Sequence, residues 1–225
     1  MYHVYRLLMV TSLKTSTIIR HPKRISHNTL HEVPDGTVAT PINGKEYSYS
    51  LWFYIEEFVD RSGDVHIMSR GNDVFEILYS RRQASSDKKL TAKVYLKDQT
   101  LPLDLEVSYM PIQRWVNLTV VVDNNYITLF MDGDIYAVKD TGTNVVKSST
   151  GEFKFGNKDS MSSFDMIVSN VKFFNYVLSV NDVRSLYAAG PSSKNVLGML
   201  GLPMYGLRNP FYRIDRIQDT IDEDF

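Results

Sequence analysis

Cysteine is missing from this chain of 225 residues. That absence excludes disulfide scaffolds, thiolate metal sites and cysteine nucleophiles together. Long apolar runs are missing too: the apolar stretches last a few residues, far short of the roughly 18 that suggest a membrane span. No Gly-x-Ser-x-Gly elbow is present to carry a serine nucleophile. What is there is an ordinary globular composition, 43% hydrophobic and 12% aromatic. A domain of this size buries roughly 70% of the surface its unfolded chain exposes, so a core forms without a structural metal or cofactor.

The charge is nearly balanced overall, with 25 Lys and Arg against 26 Asp and Glu, but unevenly placed. Residues 1–31 carry Arg6, Lys14, Arg20, Lys23 and Arg24 and no acid, which leaves 20 basic and 26 acidic groups for the rest. The first 36 residues therefore read as a basic N-terminal arm. A secretory signal needs an apolar core of about 7 to 15 residues, and Arg6 interrupts Val4 to Val10. A mitochondrial presequence suits the Arg, Ser and Thr content better. The preferred reading is an exposed arm that pairs with its own domain or drapes over a neighbour.

From residue 37 to about 174 strand follows strand. Tyr47, Tyr49, Leu51, Phe53 and Ile55 alternate with Ser48, Ser50, Trp52 and Tyr54, the period of a strand with one face in a core. Val65 to Ser69, Val74 to Tyr79 and Leu90 to Leu96 follow, separated by Gly71-Asn72-Asp73 and by the polar stretch Ser80 to Lys89. Trp115 to Val138 reads as a three-stranded meander, turned at Asp123-Asn124-Asn125 and again at Asp132-Gly133, a dipeptide suited to a type I′ hairpin. Phe153 to Phe155 and Met166 to Phe174 complete the strands. Then the period changes. Ser179 is placed to cap a helix over about 180–188, with Val183, Leu186 and Tyr187 on one face and Gly190-Pro191 as the stop. Many strands and one short helix predict an all-β, antiparallel sandwich with a helical clip.

The ordered segments Tyr-Ser-Tyr-Ser-Leu-Trp-Phe-Tyr-Ile (47–55), His-Ile-Met-Ser-Arg-Gly (66–71), Arg-Trp-Val-Asn-Leu-Thr-Val-Val-Val-Asp (114–123), Leu-Phe-Met-Asp-Gly (129–133) and Val-Ser-Asn-Val-Lys-Phe-Phe-Asn-Tyr-Val-Leu-Ser (168–179) resemble the concanavalin A-like lectin/glucanase superfamily, in its laminin G-like and pentraxin-like form. The resemblance implies a jelly-roll domain over residues 37–190, and the wording of the core most resembles laminin G-like proteins of large double-stranded DNA viruses, some of which are minor capsid components.

A superfamily of hydrolases, sugar binders and structural modules does not fix an activity. Its retaining glucanases carry Glu-x-Asp-x-x-Glu on one strand, so that two carboxylates project from one face about 5 to 5.5 Å apart. No such run occurs here, and Glu56 and Glu57, being consecutive, point to opposite faces. His66 is the single candidate base outside the arm, and a position inside a strand suits a structural role. Calcium wants six to eight oxygens, and Asp123, Asn124, Asn125, Asp132 and Asp134 lie in turns expected at opposite ends of a strand. His27 and His31 lack a third ligand type nearby. Asn117-Leu118-Thr119 is a glycosylation sequon expected to face outward. No nucleic-acid signature appears, and the body of the chain is acidic.

After Pro191 the segment to residue 210 is apolar but broken by Gly and Pro. Phe211, Ile214, Ile217, Ile221 and Phe225 then recur at helical intervals and need a surface to bury against, either the chain's own sandwich or another chain. The expectation is a non-enzymatic minor capsid protein of the virion, assembled in the host cytoplasm. It would bridge other capsid proteins, the major capsid protein among them, through the residues 1–36 arm and a docking tail over 191–225. Partner-binding residues are then Arg6, Lys14, Arg20, Lys23, Arg24, Phe211, Ile214, Ile217, Ile221 and Phe225. No catalytic residue, metal or cofactor, nucleic-acid partner or membrane span is expected. The alternative is a lectin-like module that binds a glycan.

Overall fold

A computed structural model describes residues 15–25, 30–35, 45–58, 63–81, 88–108, 111, 113–156 and 164–191. In chain order these hold β1 (Thr15–Ile19), β2 (Lys23–Ile25), β3 (His31–Val33), β4 (Tyr47–Phe58), β5 (Gly63–Arg70), β6 (Phe75–Arg81), β7 (Lys88–Val94), β8 (Leu103–Val107), β9 (Trp115–Val122), β10 (Tyr126–Met131), β11 (Asp134–Asp140), β12 (Phe153–Phe155), β13 (Phe164–Phe174) and the helix α1 (Val180–Ala189). Sheet A is seven-stranded, in the order β1-β13-β4-β9-β10-β11 with β2 also beside β13. Sheet B is six-stranded, in the order β3-β12-β5-β6-β7-β8. Every pairing is antiparallel, so this is the sandwich that the period-2 pattern predicts. Among the described residues no helix is long and apolar enough to cross a membrane.

The alternating residues do as their period requires. Tyr49, Leu51, Phe53, Val116, Leu118, Val120, Ile127 and Leu129 of sheet A are buried against Phe75, Ile77, Leu90, Ala92, Phe153 and Phe155 of sheet B. Tyr49 stacks on Phe75 at 4.3 Å and meets Phe173 at 5.3 Å between ring centroids. Each such side chain contributes roughly 1.5–3 kcal/mol by leaving water. Asp132 and Gly133 both take positive φ, 52° and 89°, which is the type I′ geometry expected of that dipeptide.

One charge lies inside this core. Arg70, at the end of β5, is 0% exposed. Its Nη2 donates to Asp35 at 3.0 Å and its Nε to the Gly151 carbonyl at 3.3 Å. The guanidinium lies over Phe173 and Phe153, 4.2 and 4.6 Å from their centroids. Cation–π contact and the Asp35 pair offset the desolvation of a buried cation. Burial raises the Tyr47 and Tyr49 phenols while the Arg70 charge pulls them the other way.

The sandwich starts earlier than residue 37, where the sequence reading began it. β1 and β2 together form one edge strand along β13, and β3 is the edge of sheet B. Ile19 and Ile25 enter the core. The edge is broken at Arg20-His21-Pro22, opposite Asn170, whose φ of 48° marks a bulge in β13. β8 is a further strand the sequence reading passed over. Its Leu105 and Val107 are buried while Asp104 and Glu106 face solvent.

Candidate docking surface

The outer face of sheet A is where a ligand would meet the broad side of the sandwich, and α1 covers it. Ser179 starts the helix: its Oγ accepts from the Asp182 amide at 3.2 Å, and Asp182 Oδ2 accepts from the Ser179 amide at 2.9 Å, a reciprocal capping box. Gly190, at φ 79°, ends it. The helix buries Val183, with Leu186 beside it, against Val121, Phe130, Phe174 and Leu178. Further along, Tyr187 stacks on Trp52 at 5.6 Å, over a cluster completed by Tyr54, Trp115 and Ile167. Gly133 makes this approach possible, since a Cβ there would stand 3.1 Å from the Tyr187 ring.

Polar groups lie in the same covered layer. Asn117 donates to the Leu51 carbonyl at 3.2 Å and Thr119 to Ser50 Oγ at 3.0 Å, with all three residues at most 2% exposed. Asn117 and Thr119 do point away from the core, as the alternation predicts, but they do not reach solvent. The sequon is a satisfied polar layer beneath a helix, closed to glycosylation in the folded chain.

The carboxylates weighed for chemistry are placed elsewhere. Glu56 is held by Arg24 at 2.8 Å. Burial raises its carboxyl, against the Arg24 charge, and Asp165 raises it further. Asp123 and Asp132 stand at the two ends of β10, and Asp132 is engaged by Arg114 at 2.8 Å. Among the described residues no group of three His, Asp or Glu could hold a metal ion. His66 is half-buried on β5.

Of the arm's five cations, three are described, and they share one edge. Arg20 is exposed in the break between β1 and β2, and Lys23 and Arg24 are exposed on β2. Lys23 Nζ lies 3.3 Å from the His31 ring, linking the edge of sheet A to that of sheet B. Burial and the Lys23 charge push the His31 imidazole down. A fourth cation joins them that sequence reasoning missed: Lys172 on β13, paired with Thr17 on one side and Ser50 on the other. Burial and the nearby Arg20 push its amine below the usual lysine value. Its signal was present in Val171-Lys172-Phe173-Phe174, where period 2 sets Lys172 on the outer face with Phe174. Arg6, Lys14, Phe211, Ile214, Ile217, Ile221 and Phe225 lie outside the described residues.

This closed sandwich with a cationic edge matches a known family. The laminin G family model of the concanavalin A-like lectin/glucanases superfamily matches residues 28–184, and the chain belongs to that superfamily. Among solved structures, the botulinum neurotoxin serotype D binding domain superposes with a TM-score of 0.62 at 13% identity, covering 76% of this chain and 44% of its own. The botulinum neurotoxin DC binding domain matches in complex with SialylT, with a TM-score of 0.60, 13% identity and coverage of 77% and 45%. The same domain in complex with rat synaptotagmin II gives a TM-score of 0.58, again at 13% identity, with coverage of 77% and 46%. The chain spans less than half the length of these structures, and identity this low establishes the fold alone. No curated protein matches the sequence.

Proposed function

We propose that this chain is a non-enzymatic structural protein, a minor capsid protein of a large DNA virus, that ties neighbouring capsid subunits together through its terminal segments. The observation that carries the reading is the closure of sheet A by α1, with Tyr187 stacked on Trp52 and the Ser50, Asn117 and Thr119 layer buried. A module whose broad face is occupied by its own helix meets partners through edges and termini. The basic β1–β2 edge suits an acidic neighbour, and the apolar positions Phe211, Ile214, Ile217, Ile221 and Phe225 would bury against a second one. The resemblance to laminin G-like capsid components supports the viral setting. The test is mass spectrometry of particles purified from infected cells, combined with crosslinking. The expected result is this chain among the capsid proteins, with crosslinks from Lys14 and Lys23 to a capsid subunit. Its absence from the particles would reject the proposal.

A second reading, a carbohydrate-binding module, is favoured by one observation: a structural neighbour is a neurotoxin binding domain in complex with SialylT. A neighbour of the same fold is in complex with a protein, so the fold does not choose between them. Binding on a glycan array, with no crosslink to any capsid subunit, would favour this reading.

A further inference from the structure

The helix α1 stops short of one margin of sheet A. Its apolar side reaches Phe130 of β10, and beyond that lie only the outward residues of β10 and β11. Cross-strand partners share a face, so Ile135, opposite Phe130, and Val138, opposite Thr128, stand on the outer side, with Tyr126 at the far end. Ile135 is 57% exposed, Val138 53% and Tyr126 50%. Arg184 Nη2 lies 3.8 Å from Asp134 Oδ1, which turns that flank of α1 toward β11. Val180, one turn earlier on the same flank, is exposed too. Together they make a ledge with a largely apolar floor and a helix as its wall. A contiguous apolar patch of this kind marks a contact.

The ledge has the dimensions of a helix, and the chain supplies one candidate. β11 has seven residues, a length of about 24 Å, and two strands are about 10 Å across. Phe211, Ile214, Ile217, Ile221 and Phe225 form one stripe at helical spacing, and a helix over 211–225 would be about 22 Å long and about 10 Å wide. The chain also leaves α1 on the correct face. The Gly190 carbonyl accepts from Asn170 Nδ2 at 3.0 Å and the Pro191 carbonyl from Ser169 Oγ, both on β13. From β13 to β11 is four strand spacings, about 19 Å, and the intervening residues 192–210 span up to about 60 Å when extended. A tether with that reach holds its segment at an effective concentration of about millimolar, which favours its own ledge over that of a second copy.

We infer that residues 211–225 of the same chain lie on the β10–β11 ledge as a second helix beside α1, with their apolar stripe on Ile135, Val138 and Val180. The inference goes beyond the capsid reading, because it concerns the free chain: its own ledge holds the stripe that a neighbouring subunit would have to win in the particle.

The chain has no cysteine, so pairs can be introduced into its full length and joined with a short bismaleimide. Val138→Cys with Ile217→Cys is compared with Glu106→Cys with Ile217→Cys, Glu106 being an exposed residue of sheet B. The first pair should link within one molecule at least about tenfold faster than the second. In a separate variant, Ile135→Lys with Val138→Lys should accelerate amide exchange over 211–225 about tenfold, while 115–122 exchanges as before and so reports an intact sandwich. Linkage between molecules would make a second copy the occupant and overturn the inference. Equal linking rates for the two pairs would overturn it as well, as would tail exchange that the lysines leave unchanged. Absence of the chain from virus particles would strike the capsid reading alone.

Discussion

The two faces of sheet A are built from the same strands and stabilised in different ways. The inner face is wholly apolar at Leu51, Val116, Leu118 and Val120, and buries against sheet B. The outer face, carried by the intervening residues, is equally inaccessible at Ser50, Trp52, Asn117 and Thr119. There the cover is one helix of ten residues, and the layer beneath it is hydrogen-bonded. Burial thus comes from a second sheet on one side and from a capped helix on the other, and only the second depends on a single local start signal.

Substitutions sharpen the comparison. Leu118→Ala on the inner face should cost the most, about 2–5 kcal/mol, because the sheets cannot close over the lost volume. Chemical denaturation would read it as a shift in midpoint at unchanged slope. Asn117→Ala, its neighbour on the outer face, should cost about 1–3 kcal/mol by leaving the Leu51 carbonyl without its donor in a buried layer. A value near that of Leu118→Ala would mean that the outer layer is as rigidly packed as the core. Ser179→Ala should cost about 1 kcal/mol through loss of the helix cap. Hydrogen exchange should localise its effect to 180–189, with the inner face unchanged. A global loss would show that the helix and the sandwich are one cooperative unit.

The smallest expected effect is a pH slope. Burial raises the Glu56 carboxyl in the folded chain above its reference value of 4.5. The folded state therefore holds the proton to higher pH than the unfolded state. Stability should fall as pH rises from about 4.5 through the folded-state value, by linkage. Glu56→Gln should flatten that segment of the stability profile, measured by thermal melts across the range. An unchanged slope would assign it to other groups.

What was legible in the sequence follows the same division. Period 2 in Tyr47 to Ile55 and Trp115 to Val122 declared the inner face because that face meets a uniform apolar partner. The outer residues read as solvent-facing, since alternation reports which side a residue takes and not what covers it. The cover was half visible: Val183, Leu186 and Tyr187 make a helical apolar face, but nothing local says that it folds back on Trp52 and Val121. β1 to β3 read in sequence as a basic arm because their strands are short, at five, three and three residues, and Arg20, Lys23 and Arg24 dominate them. Arg70 was illegible in principle. A charge within a core strand becomes intelligible only when Asp35, Gly151 and two phenylalanines arrive from distant segments.

The central claim is that the outer face of sheet A is closed by the chain's own helix. Quenching of tryptophan fluorescence by acrylamide tests it most directly, because both tryptophans, Trp52 and Trp115, lie in the covered layer. The account predicts weak quenching in the native chain, rising when Tyr187→Ala removes the ring stacked on Trp52. Strong quenching of the native chain would contradict it.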